Sequence, residues 1–110
     1  MPYLLETNVV TQLLKRTPPV VEKYQRVLQQ GEQFYLSAVV YYEVKRGLLH
    51  RGATKQLQQL DAGFKNVLHW APVSDATWDR ASYLWAECRR RGKPHDDDGD
   101  LLIAAQAHLL

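Results

Sequence analysis

One cysteine, Cys88, is all that the 110 residues contain. No disulfide can therefore close within the chain, and a place in an apolar helical stripe assigns this thiol to packing rather than to nucleophilic chemistry. The opening Met1-Pro2-Tyr3-Leu4-Leu5-Glu6 has neither the basic head nor the apolar stretch of a secretory leader. Apolar runs such as Leu101 to Ala105 fall far short of the roughly 20 residues that span a bilayer. These absences point to a soluble, cytoplasmic protein with no membrane contact. A strong charge imbalance is missing as well: the net charge of +2 permits contact with a polyanion without demanding it. His50, His69, His95 and His108 show no HExxH or Cys-His spacing, which argues against zinc. Asp96, Asp98 and Asp100 match alternate ligands of a calcium loop, but Leu101 stands where that loop needs glycine and Ala107 where it needs a bidentate glutamate.

The chain does contain alternating strand and helix signals. Tyr3-Leu4-Leu5 reads as a strand, and Thr7-Asn8 offers capping oxygens before Val9, Val10, Leu13 and Leu14 recur at helical spacing. Pro18-Pro19 opens a second helix with Val20, Tyr24, Val27 and Leu28 on one face, stopped by Gly31. Gln33-Phe34-Tyr35-Leu36 predicts a strand, Ser37 a cap, and Val40, Val44, Gly47 and Leu48 a third helix. Thr54 to Phe64 reads as helix and Val67 to Trp70 as a strand before Pro72. Ser74 or Asp75 caps a longer helix with Trp78, Ala81, Leu84, Trp85 and Cys88 apolar, ended by Gly92. An acidic loop, His95 to Gly99, precedes a helix from Asp100 to Leu110. Trp70, Trp78 and Trp85, with Tyr41 and Tyr42, are assigned to core or interface.

Strands alternating with helices argue for an α/β layer fold with a mainly parallel sheet. With 45% hydrophobic residues and no repeat or linker, residues 1–110 make one small domain. The pattern breaks off inside an apolar helix at Leu109-Leu110. The last strand is therefore expected to be missing, or to come from a partner chain.

Ligands of parallel sheets bind beyond the carboxyl ends of the strands. Glu6 sits at such an end, Glu43 lies in the first turns of the helix after the second strand, and Asp100 opens the last helix behind Asp96, Asp97 and Asp98. Carboxylates brought together repel one another unless a cation intervenes, and an all-oxygen set suits Mg²⁺ or Mn²⁺. Positive residues gather at Lys45-Arg46 with His50-Arg51 and Lys55, and at Arg89-Arg90-Arg91 with Lys93. Lys45, Arg46, Arg51, Arg90 and Lys93 are, on charge alone, candidates to hold RNA phosphates.

Three blocks in order, Tyr3 to Val10, Leu36-Ser37 leading to Tyr42-Glu43-Val44 and Gly47, and Gly92-Lys93-Pro94 leading to Asp100 to Ala107, resemble the PIN domain family. The likeness is to the VapC-like toxins of toxin-antitoxin pairs in particular. It implies a three-layer α/β/α fold and a Mg²⁺ or Mn²⁺ dependent endoribonuclease in which a metal-activated water attacks RNA. Acids at Glu6, Glu43 and Asp100 would hold the metal, Thr7 or Asn8 would steady the first ligand, and Asp98 would reach the metal through water. RNA, an antitoxin peptide and a second copy of the chain are the implied partners. Two departures stand out. The family has aspartate at Glu6, and the added methylene moves the carboxylate by about 1.5 Å, so weakened catalysis is expected, with Mn²⁺ more forgiving than Mg²⁺. The family's next strand, with a fourth acid, is missing. The alternative reading is therefore a catalytically impaired PIN remnant that binds antitoxin or RNA.

Overall fold

The computed structural model describes residues 2–93 and 97–110. Pro94, His95 and Asp96, which belong to the third block and to the acidic loop, lie outside the described residues. At the centre are three short strands, β1 (Pro2–Leu4), β2 (Gln33–Leu36) and β3 (His69–Trp70), in the spatial order β1-β2-β3. Both pairings are parallel, with Tyr3 opposite Phe34 and Leu36 opposite Trp70. Parallel neighbours require crossovers, and helices supply them. Between β1 and β2 run α1 (Thr7–Leu14) and α2 (Pro18–Gln29), between β2 and β3 run α3 (Ala38–Arg51) and α4 (Thr54–Leu60), and α5 (Asp75–Arg90) and α6 (Asp98–Leu109) follow. The architecture is a three-layer α/β/α fold. Among the described residues β1 has one neighbouring strand and forms an edge of the sheet.

Local chemistry sets most of the element ends. Ser37 caps α3, its Oγ accepting from the Val39 amide at 3.1 Å, as its place before the apolar repeat predicts. Ser74 and Thr77 form a reciprocal capping box at the start of α5. Gly31 and Gly92, at φ +80 and +69, follow the ends of α2 and α5. The start of α1 differs from expectation, because Glu6 holds the cap position without a side-chain cap bond and Thr7 is already helical. The physical reason is that the Thr7 hydroxyl is spent elsewhere, on Glu43.

Packing accounts for the other differences. Leu5, Val10, Phe34, Leu36, Val40 and Val44 are buried together between β1, β2, α1 and α3. A fully buried residue such as Val40 contributes roughly 1.5–3 kcal/mol. The helix predicted over Thr54 to Phe64 is regular only to Leu60 and then widens into a π-helical turn, Asp61–Lys65. That turn sets both its ends against Tyr41: Asp61 Oδ1 accepts the Tyr41 hydroxyl at 2.7 Å and Lys65 lies 5.4 Å from the ring centroid. β3 holds two residues, His69–Trp70, of the four predicted. On α5 the predicted apolar stripe is only half covered, by α6, leaving Trp78 55% and Trp85 43% exposed.

One buried polar contact ties the layers together. Ser37 Oγ donates to Gln106 Oε1 at 2.6 Å, and Gln106 Nε2 donates to the carbonyls of Ala71 and Pro72 at 3.4 Å each. The start of α3, the end of β3 and the middle of α6 are thereby fixed to one another.

Candidate metal and active site

Because β1 and β2 are parallel, α1 and α3 both begin at the same edge of the sheet, and α6 starts there too. Three carboxylates converge at this edge: oxygens of Glu43, Asp97 and Asp100 all lie within 4.8 Å of one another. Glu43 is half buried on α3, and its Oε1 accepts the Thr7 hydroxyl at 3.0 Å across 36 residues of sequence. Asp97 caps α6, its Oδ1 accepting from the Gly99 amide at 2.9 Å. Asp97 and Asp100 are three apart and share a face of the helix end. Glu43 and Asp100 line a cleft of about 470 Å³, which has Glu6, Thr7 and Asn8 on its other wall and Ile103, Ala104 and Ala107 as apolar backing.

The predicted residues divide accordingly. Glu6, Thr7, Asn8, Glu43 and Asp100 all face the cleft, although the Glu6 carboxylate stands outside the close group of three. Thr7 is bound to Glu43, not to Glu6, the first ligand that the resemblance pairs it with. Asp98 is displaced by the start of α6. The helix begins at Asp98 rather than Asp100, which turns this side chain about 100° from its neighbours into a separate hollow beside Trp78, Trp85 and Leu101. Asp97 takes the place near the other acids that the sequence reading gave to Asp98.

Cations sort the same way. Arg46, one turn from Glu43, is held above the ordinary guanidinium value by the Tyr42 hydroxyl first and then by Glu43 and Asp97. Arg51 lies two turns further along and lines a groove that shares Thr7 and Glu43 with the cleft. Lys45 projects elsewhere and lies over the Tyr41 ring at 5.3 Å. Arg90 is paired with Glu87 at 3.1 Å, and Lys93 is exposed beyond α5.

Three residues of the site were not singled out as such from the sequence. Asp97 was read only as part of an acidic run. At Gly99 an added Cβ would come within 3.0 Å of Asp97 Oδ1 and 3.2 Å of Val39 Cγ1, so its signal is a glycine set inside that run. Gln106, 2% exposed, announces itself only as a polar residue inside an apolar helix.

An oxygen-only set of three carboxylates, one braced by a hydroxyl, fits a hard divalent cation, and among the described residues no nitrogen or sulfur donor stands in the group to suit a softer metal. The fold and the cleft together define a parallel α/β protein with a cluster of carboxylates, able to hold a cation, at the carboxyl edge of its sheet. The chain belongs to the PIN domain family, whose model matches residues 3–110. Among solved structures it is similar to VapBC2 from Rickettsia felis bound to a DNA fragment from their promoter, at 23% identity and a TM-score of 0.81 over 97% of this chain and 80% of that one. It is also similar to VapBC-1 from nontypeable Haemophilus influenzae, at 19% identity and a TM-score of 0.74 over 98% and 80%. Among curated proteins no relative matches the chain. Among the described residues no helix is long and apolar enough to cross a membrane.

Proposed function

We propose that the chain is a divalent-cation-dependent endoribonuclease, the toxin of a toxin-antitoxin pair. The observation that carries this reading is the convergence of Glu43, Asp97 and Asp100 within 4.8 Å in a member of the PIN family. The likeness to two VapBC proteins supports an antitoxin peptide as partner.

Glu43, Asp97 and Asp100 would hold Mg²⁺ or Mn²⁺, with Glu6 as a further carboxylate on the facing wall. When bound, the cation supplies the Lewis acidity that makes water nucleophilic at neutral pH and offsets charge on the phosphate. The chain's own residues do the positioning. Thr7 fixes one oxygen of Glu43 and so holds that carboxylate at the cleft. Arg46 stands beside the acids, where its charge favours an approaching phosphodiester. Ile103, Ala104 and Ala107 form the apolar side of the cleft. In the hydrolysis a P–O bond forms to water as the P–O bond to the leaving oxygen opens, and the proton shed by water ends on that oxygen.

The test is incubation of the purified chain with structured RNA in Mg²⁺ or Mn²⁺, beside EDTA and an Asp100→Asn variant of equal circular dichroism. Cleavage abolished by both is the expected result. Cleavage that survives both would sink the metal model. One observation favours a second reading, the stance of Glu6 outside the close group. A folded chain that cleaves nothing, but regains cleavage with Glu6→Asp, would be a binding remnant disabled at this carboxylate.

A further inference from the structure

A narrow groove of about 100 Å³ leaves the acidic cleft between α1 and α3 and shares Thr7 and Glu43 with it. Its floor is apolar, from Leu14, Val44 and Leu48, and its walls carry two cations, Lys15 from the end of α1 and Arg51 from the end of α3. Glu43, Gly47 and Arg51 are spaced four apart and so lie on one face of α3. Arg51 folds back over Gly47, where an added Cβ would lie 3.5 Å from its Nη1. Its guanidinium therefore turns along the groove toward Glu43. Among the described residues neither Lys15 nor Arg51 has an ion-pair partner. The lining thus carries two cations to one carboxylate, Glu43, which also belongs to the acidic cleft, and that excess of positive charge attracts a polyanion.

We propose that this groove is a subsite for the backbone phosphates of a single RNA strand, with Lys15 and Arg51 as its positioning residues. The proposal rests on the ribonuclease reading and adds the direction of the substrate. A strand whose scissile phosphate lies at Glu43, Asp97 and Asp100 has to leave the cleft, and this exit is lined by cations. The Arg51 guanidinium, folded back over Gly47, lies about one turn, roughly 6 Å along the helix, from Glu43, which sets its charge against a phosphate next to the reacting one. Gln56, from α4, offers an uncharged amide at the far wall.

The experiment is fluorescence anisotropy of a labelled single-stranded oligoribonucleotide in EDTA, over a series of salt concentrations. Lys15→Gln and Arg51→Gln are each expected to weaken binding and to lower the slope of log K against log salt by about 0.7, the value for one phosphate contact on a single strand. Arg51→Lys keeps the slope, and Arg80→Gln, an equal charge change on α5, leaves binding unaltered. If the two groove variants bind like the Arg80 control, the subsite is overturned, and undiminished Mn²⁺-dependent cleavage by those variants would show that the ribonuclease reading survives it. Slopes that fall as stated in a chain without cleavage sustain the subsite and remove the ribonuclease. Loss of affinity for an oligoglutamate probe alone, with RNA binding intact, overturns the proposal in favour of an acidic peptide. A native chain that binds no RNA overturns both readings.

Discussion

Two regions rich in charge lie at opposite extremes of self-sufficiency. At the end of α5, Glu87 accepts from Arg91 Nε at 2.9 Å and from Arg90 Nη2 at 3.1 Å, all within one turn of one helix. Arg89 there lies over Trp85, 4.2 Å from the ring centroid. At the cleft, Glu43 comes from α3 and Asp97 and Asp100 from the start of α6, and Glu43 is braced by Thr7 of α1, while Arg51 and Lys15 have no carboxylate bound among the described residues. Local pairing satisfies the first region, and its loss changes the fold little, since exposed pairs of this kind contribute little stability. The second region gathers carboxylates from separate parts of the chain, with Arg46 beside them, an arrangement that depends on the packing around it. That difference separates a helix end whose charges pair locally from an acidic cluster assembled across the fold and able to hold a cation.

The sharpest way to break the comparison is through the packing that holds the cleft. Gln106→Leu leaves the Ser37 hydroxyl and the Ala71 and Pro72 carbonyls short of their partner. A buried group left unsatisfied costs about 1–3 kcal/mol, so a loss on the order of 3 kcal/mol is expected, read by urea unfolding with an unchanged m-value. Because Ser37 caps α3 and Gln106 lies on α6, Mn²⁺ affinity should fall with stability. A variant as stable as the parent would show that the tie is dispensable.

A smaller effect sharpens the contrast without unfolding anything. Thr7→Val keeps the shape of the side chain and removes the hydrogen bond to Glu43. Groups that orient metal ligands typically contribute 10–100-fold in affinity, so about tenfold weaker Mn²⁺ binding is expected by calorimetry, with little change in Tm. Gly99→Ala works from the other side, pressing on Asp97 Oδ1 and Val39 Cγ1, and should weaken Mn²⁺ in the same direction. Unchanged affinity in both variants would mean that Glu43 and Asp97 do not act together.

Much of this architecture is legible one element at a time. Gln33 to Leu36 as a strand and Ser37 as a cap depend on local propensity and a single side-chain bond, and both hold. The first turn of α6 is not legible, because each aspartate of the run is a plausible cap. The choice of Asp97, made by its bond to the Gly99 amide, decides which acids enter the cleft and turns Asp98 away. Lys45 and Arg46 are equivalent as charges in sequence, yet about 100° of helix rotation sends one to Tyr41 and the other to the acids. The π-helical turn depends on Tyr41, 20 residues upstream of Asp61, a contact no local pattern encodes. Elements are thus readable where neighbours in sequence decide them, and the site is unreadable where its oxygens are brought together across the fold.

The smallest expected effect tests the paired region directly. Arg91 first, then Arg90, holds the Glu87 carboxyl below its ordinary value of 4.5. A carboxyl whose folded value is depressed stabilises the fold above its unfolded value, and that contribution is lost as pH falls through the folded value. Glu87→Gln should therefore lower Tm slightly at neutral pH, and the difference from the parent should close as pH falls below 4.5; a difference that persists in strong acid would assign it to packing. The same substitution frees Arg90 and Arg91. If local pairing is what keeps α5 from behaving like the groove of Lys15 and Arg51, Glu87→Gln will bind labelled RNA more tightly than the parent at low salt, and the gain will vanish as salt screens it. Unchanged RNA binding would mean that position beside the carboxylates, rather than freedom from a partner, separates the two sets of cations.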